Sequence, residues 1–299
     1  MISTHLAFII AIISSFIWGF MNVLDKFVVS HKVKNVLSFT IVAGIVNLII
    51  GIILASFLSW KNIFWNDLFF PAIAGLIFGS QFFIYYYMLG KEDVSNVIGF
   101  VYFYPIVVAI LSFFFLNETL SLISYLGMSL ILLGVIFLSV KTKKVRLNVS
   151  FWLIGLLILI VAFYEFFIKM ATNNLPEFNG IAISSICIGI SILFGLFNKK
   201  IRIGVPKELK NFKWALANES LTFMGIIATY LAMNGLPATI VASIGATQPL
   251  TVLFLESLSH KMGFKISVEN NFRKNLIPIL FIVFGVILVY APEIINFLN

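Results

Sequence analysis

A few ionisable and hydrogen-bonding side chains interrupt long apolar runs, and at membrane depth such groups are functional candidates because burying them is costly. Trp18, Asn22 and Lys26 are spaced i, i+4, i+8 and share one helical face. A ring, an amide and an ammonium in one stripe suit the wall of a pore for an amphipathic solute, or the interfacial end of a helix. Glu165 and Lys169 stand four apart in the order that favours an ion pair, near a helix end from which Lys169 snorkels to the headgroups. Asn218 and Glu219 lie together about one and a half turns into another run, a position for substrate binding or proton coupling. Gln81, Tyr85 and Tyr86 belong to a third run, and Asn96, Tyr102 and Tyr104 lead to Pro105 as Gln248 leads to Pro249. These side chains are expected to line one substrate-binding space. The two prolines free backbone carbonyls and act as packing kinks or as gating hinges.

Other polar groups have plainer readings. Glu256 near a helix end faces Lys261, Glu118 accepts bonds or caps the helix that begins near Leu120 and Ser121, and Tyr87 and Trp60 are belt or packing residues. Small residues at Ala11, Ser15 and Gly19, and at Gly75 and Gly79, are spaced for close helix contact.

Several chemistries are not supported. His5, His31 and His260 are scattered, and the sequence has no HExxH, no Cys/His cluster, no nucleophile elbow and no phosphate-binding glycine loop. Cys187, the one cysteine, has no partner for an intrachain disulfide. The expectation is therefore no enzyme, no metal, no cofactor and no direct use of ATP. A net charge of +8 raises the question of nucleic acid, but the basic residues sit in short gaps between apolar runs, where they meet lipid headgroups. The partners expected are a bilayer and a small-molecule substrate, with no nucleic acid.

The elements that must position these groups follow from composition. Of 299 residues, 61% are hydrophobic and 11% charged, with a mean hydropathy of +1.08, against about a quarter charged in soluble domains. The fold class expected is all-α, a polytopic membrane protein with ten transmembrane helices over 6–24, 36–60, 68–90, 94–117, 122–140, 149–168, 178–197, 214–235, 238–258 and 276–294. The first run has no convincing cleavage site after it and is expected to stay as helix one. The stretches near 198–213 and 259–275 are expected to be connections too short for a soluble domain.

The chain repeats itself. Pro105 and Pro249 hold comparable places about half a chain apart, and Gly134 aligns with Gly285 in the last helix of each half. The division expected is a first five-helix repeat 1–140, a basic connecting loop 141–150 and a second repeat 151–299. An odd number of spans per repeat makes the second enter from the opposite side, giving an inverted repeat with its site near the midplane. On these spans every Lys and Arg except Lys61 and Lys169 falls on one side, which places both termini outside.

The run Ala232-Met233-Asn234-Gly235-Leu236-Pro237-Ala238 to Ala242, continuing to Gln248-Pro249-Leu250, resembles the second-repeat pattern of the drug/metabolite transporter superfamily, in its ten-helix EamA-like branch. Leu116-Asn117-Glu118-Thr119-Leu120-Ser121 is similar to the Gly-Glu end of that family's proline helix, with Asn117 in place of glycine. Trp18-Gly19, Asn22 and Lys26 look like its first helix. Two departures stand out: Gln248 replaces an acidic residue before the second proline, and Ser259-His260-Lys261-Met262-Gly263 replaces the second Gly-Glu end. The resemblance implies cytoplasmic termini, opposite to the charge count. It also implies secondary transport, by an exporter or exchanger in the cell membrane, of a small polar or amphipathic metabolite. Helices one, three, four, six, eight and nine would surround the cavity, with five and ten as scaffold or dimer surface. A membrane scaffold or lipid-handling protein is the alternative.

Overall fold

A computed structural model describes residues 2–89, 101–139, 149–261 and 276–298. Among the described residues every regular element is helical: α1 (Thr4–His31), α2 (Val36–Phe57), α3 (Phe69–Leu89), α4 (Tyr104–Phe115), α5 (Leu122–Ser139), α6 (Val149–Asn174), α7 (Glu177–Leu193), α8 (Lys199–Glu208), α9 (Phe212–Gly235), α10 (Ala238–Gly245), α11 (Gln248–Lys261) and α12 (Leu276–Leu298), with short 3-10 turns. Each of the ten expected spans has its helix, the ninth being α10 and α11 together. Six spans are long and apolar enough to cross a membrane, and α4, α5 and α12 contribute shorter apolar stretches. The remaining span, α9, carries Asn218, Glu219, Thr222 and Thr229 and buries all four, so its polarity is turned inward. Outward faces are apolar: Phe57, Phe114 and Ile287 are exposed, as a surface solvated by lipid tails requires.

Three boundaries differ from expectation. Helix α1 runs to His31 instead of stopping at residue 24, and α6 runs to Asn174 instead of 168. Both helices continue past polar residues, Asp25 in α1 and Lys169 in α6, that turn toward protein instead of leaving the membrane. The expected loop after residue 197 contains α8, a basic helix laid against α2. Its buried Glu208 accepts from the backbone N–H groups of Lys34 at 3.2 Å and Asn35 at 2.9 Å, which lie just before α2.

Packing across the halves has a two-fold pattern. Helix α1 lies on α9 as α6 lies on α3, α1 on α11 as α6 on α4, and α3 on α7 as α9 on α2, while α2 pairs with α7 and α5 with α12. Exchanging the first five spans with the second five maps each of these contacts onto another or onto itself. Small residues permit the close pairs. A Cβ on Gly127 would stand 2.7 Å from the Gly285 carbonyl oxygen, and one on Gly285 would stand 2.7 Å from that of Gly127, so the α5 and α12 backbones touch.

The prolines do not interrupt a helix in its middle. Tyr102 and Phe103 form a turn before α4, and Ala246 and Thr247 form one before α11, with Pro105 and Pro249 each in the first helical turn. A missing N–H costs no ladder bond there. The same closing bond recurs in both halves: Ile106 N–H donates to Phe103 at 3.1 Å and Leu250 N–H to Thr247 at 2.9 Å.

Candidate substrate cavity

Helices α1, α3, α6, α9 and α11, with the turn before α4, line a cavity of about 110 Å³. Trp18 and Asn22 face it from α1, Gln81 and Tyr85 from α3, Tyr102 and Tyr104 from the first proline turn, Glu165 from α6 and Gln248 from α11. The structure thus brings eight expected residues together on one wall. Helical spacing explains the convergence: Trp18 and Asn22, and Gln81 and Tyr85, are each four apart and project from one face.

The polar groups on this wall join the halves. Asn22 donates its side-chain N–H to Gln248 Oε1 at 3.0 Å, Tyr102 donates its hydroxyl to the same oxygen at 3.1 Å, and Tyr85 donates to Asn22 Oδ1 at 2.9 Å. Trp18 donates its indole N–H to Thr229 at 3.2 Å, and Ser15 meets Thr247 at 2.9 Å. The remaining wall is largely aromatic, with Phe78 stacked on Tyr164 at 4.1 Å and the Trp18 ring edge-on to Phe78 at 5.9 Å.

Tyr86, Asn218 and Glu219 lie behind the wall. They surround Asp25, which the sequence reading passed over. Asp25 Oδ1 accepts from Tyr86 at 2.8 Å and from Asn218 at 2.5 Å, and Oδ2 lies 3.1 Å from the Tyr85 hydroxyl, whose one proton it competes for with Asn22. Glu219 accepts from the Asn47 side chain. A continuous run of polar contacts therefore extends from Gln248 through Asn22, Tyr85 and Asp25 to Asn218. The signal for Asp25 was present, since it follows Asn22 by three and so shares its face, but it fell beyond the supposed end of helix one. Thr229 and Tyr164 were missed because a lone hydroxyl in an apolar run carries no pattern of its own.

Lys26 is not on the cavity wall, and Asn96 and the side chain of Glu256 lie outside the described residues. The expected Glu165–Lys169 pair is replaced by another. Lys169 turns away from Glu165, donates to the Met233 and Leu236 carbonyls at 2.6 and 2.8 Å and stands 3.8 Å from Glu118. Glu118 caps no helix near Leu120, where Ser121 serves instead by accepting from Ser124 N–H at 3.1 Å. It accepts from Ala238 N–H at 2.9 Å, at the first turn of α10. An acid at a helix start and a base at the end of the preceding helix both oppose the local dipole charge. Burial pushes the Glu118 carboxyl up from its ordinary range, and the Lys169 ammonium pulls it back. Asn117, standing where the family has glycine, has φ 54°, the left-handed conformation that asparagine tolerates better than most residues.

An all-α bundle of membrane-spanning length, with a two-fold packing pattern and a largely aromatic cavity, defines the class as a polytopic membrane protein. The chain belongs to the EamA-like transporter family, whose pattern matches residues 5–140, and is a membrane transporter of the drug/metabolite type. An uncharacterized protein of Methanocaldococcus jannaschii is 34% identical over 111 residues, covering 36% of this chain and 80% of that protein. One solved crystal structure of a protein superposes with a TM-score of 0.72 over 97% of this chain and 98% of that one, at 13% identity, which is a likeness of fold.

Proposed function

We propose that the protein is a secondary transporter, an exporter or exchanger, that moves a small polar or amphipathic metabolite across the cell membrane by alternating access, and that it is no enzyme. The observation that carries this reading is the cavity wall itself, which draws Asn22, Tyr85 and Tyr102 from one half and Glu165 and Gln248 from the other. A solute held between two halves changes its exposure when one half rocks on the other. In this reading the first repeat spans 1–140 and the second 151–299, joined by the basic segment 141–150. Pro105 and Pro249 serve as hinges, since each opens a helix directly after a two-residue turn beside the cavity. The paired α5 and α12 stay outside the moving part as scaffold or dimer surface.

The test is flux of labelled amino acids, nucleosides and sugars into proteoliposomes. Flux above that of protein-free vesicles is expected, reduced by Asn22→Ala or Gln248→Ala in protein that still folds. Flux indifferent to every cavity substitution, or none for any solute, would count for the scaffold or lipid-handling alternative.

A further inference from the structure

We infer that the cavity recognises its solute by an ammonium head, held by Glu165, with the solute's apolar body among the aromatic rings. The inference rests on the transport reading for what the cavity is for, and on the wall alone for what it binds.

Glu165 is 8% exposed and faces the cavity, and its Oε2 has no hydrogen-bond partner. The Tyr104 hydroxyl lies against this carboxyl but also reaches the Ala242 carbonyl at 3.0 Å, and its one proton cannot serve both. The cation that helical spacing offers Glu165 is Lys169, which is committed to Met233, Leu236 and Glu118. Among the described residues on the wall there is no Lys, Arg or His. A buried carboxylate oxygen without a donor is expensive, and no described residue on the wall supplies one.

The rest of the wall narrows the ligand further. Asn22, Tyr85, Tyr102 and the Gln248 oxygen spend hydrogen bonds on one another. Beside Glu165, the Tyr164 hydroxyl is buried without a partner, and its ring stacks on Phe78. Trp18, Phe78 and Phe82 also line the cavity; aromatic faces attract a cation, and the rings solvate an apolar body. An anion would meet a carboxylate and no countercharge. A neutral donor would give Glu165 a hydrogen bond but no countercharge.

The experiment is isothermal titration of the purified full-length protein in detergent at neutral pH with phenethylammonium, and with 2-phenylethanol and phenylacetate as its neutral and anionic counterparts. Phenethylammonium is expected to bind at least about tenfold tighter than either. Glu165→Gln should remove that margin over both counterparts. Tyr164→Phe, which deletes only a hydroxyl, should cost a smaller factor and decides the matter if the Gln variant does not fold. Equal binding of the three probes, or ammonium binding untouched by both substitutions, overturns the inference. Binding and flux separate the two readings. Glu165-dependent ammonium binding without flux keeps this site and removes the transporter, whereas flux of anionic solutes indifferent to Glu165→Gln keeps the transporter and removes this site.

Discussion

Glu118 and Lys169 meet at 3.8 Å across the interface between the two halves, and each completes one side of the break between α9 and α10. Lys169 satisfies carbonyls at the end of α9 and Glu118 an N–H at the start of α10. Both side chains are little exposed, at 14% and 13%, so neither charge is easily solvated once the other is gone. Lys169→Met should therefore lower stability by about 2–4 kcal/mol, and Glu118→Gln by less. In the double variant the losses should fall short of their sum. Thermal unfolding of the four proteins in one detergent measures this, and strictly additive losses would mean the pair is not coupled.

Acidity should act on the same group. Burial raises the Glu118 carboxyl above its ordinary value of 4.5 in the folded protein, so the native state holds that proton more tightly than the unfolded chain. Its contribution to stability is then fullest below the ordinary value and is lost as pH rises through the folded one. Relative to Glu118→Gln, the wild type should lose melting temperature as pH climbs from about 4 toward neutrality. Parallel pH profiles would remove Glu118 as the titrating group.

Asp25 gathers donors from two helices, α3 and α9. Asp25→Ala strands the hydroxyl of Tyr86 and a side-chain N–H of Asn218 in a closed interior and takes one acceptor from Tyr85. A loss of about 3 kcal/mol or more is expected. Asp25→Asn keeps an acceptor and should cost less. Melting temperatures rank the two, and an Ala variant as stable as the Asn variant would contradict the network.

Asn117 holds a left-handed backbone, with φ 54°. Asn117→Gly should be neutral or mildly stabilising, and Asn117→Val should cost about 1–2 kcal/mol because a β-branched residue is strained there. A Val variant that melts with the wild type would show that this turn relaxes without penalty.

Membrane class and the ten helical spans were legible in the chain alone. A bilayer demands about 20 apolar residues per helix, and Pro105 and Pro249 mark the same place in each half. Much of the cavity wall was legible too, because Trp18 and Asn22, or Gln81 and Tyr85, are polar residues at helical spacing with few other reasons to sit in lipid. Where polarity was read as the end of a span, the reading failed. Asp25 and Lys169 lie within helices that continue past them.

Amino-acid order by itself determined which segments must be helical and which faces must avoid lipid, since both follow from local spacing and the thickness of the membrane. Partner choice was decided only in three dimensions. Lys169 prefers Glu118 and two carbonyls at a helix break over the carboxylate one turn before it, because ends of helices far apart in sequence meet there with bonds unmade. Glu165 is left facing the cavity with an oxygen unpaired, an outcome that depends on where every neighbouring helix comes to rest.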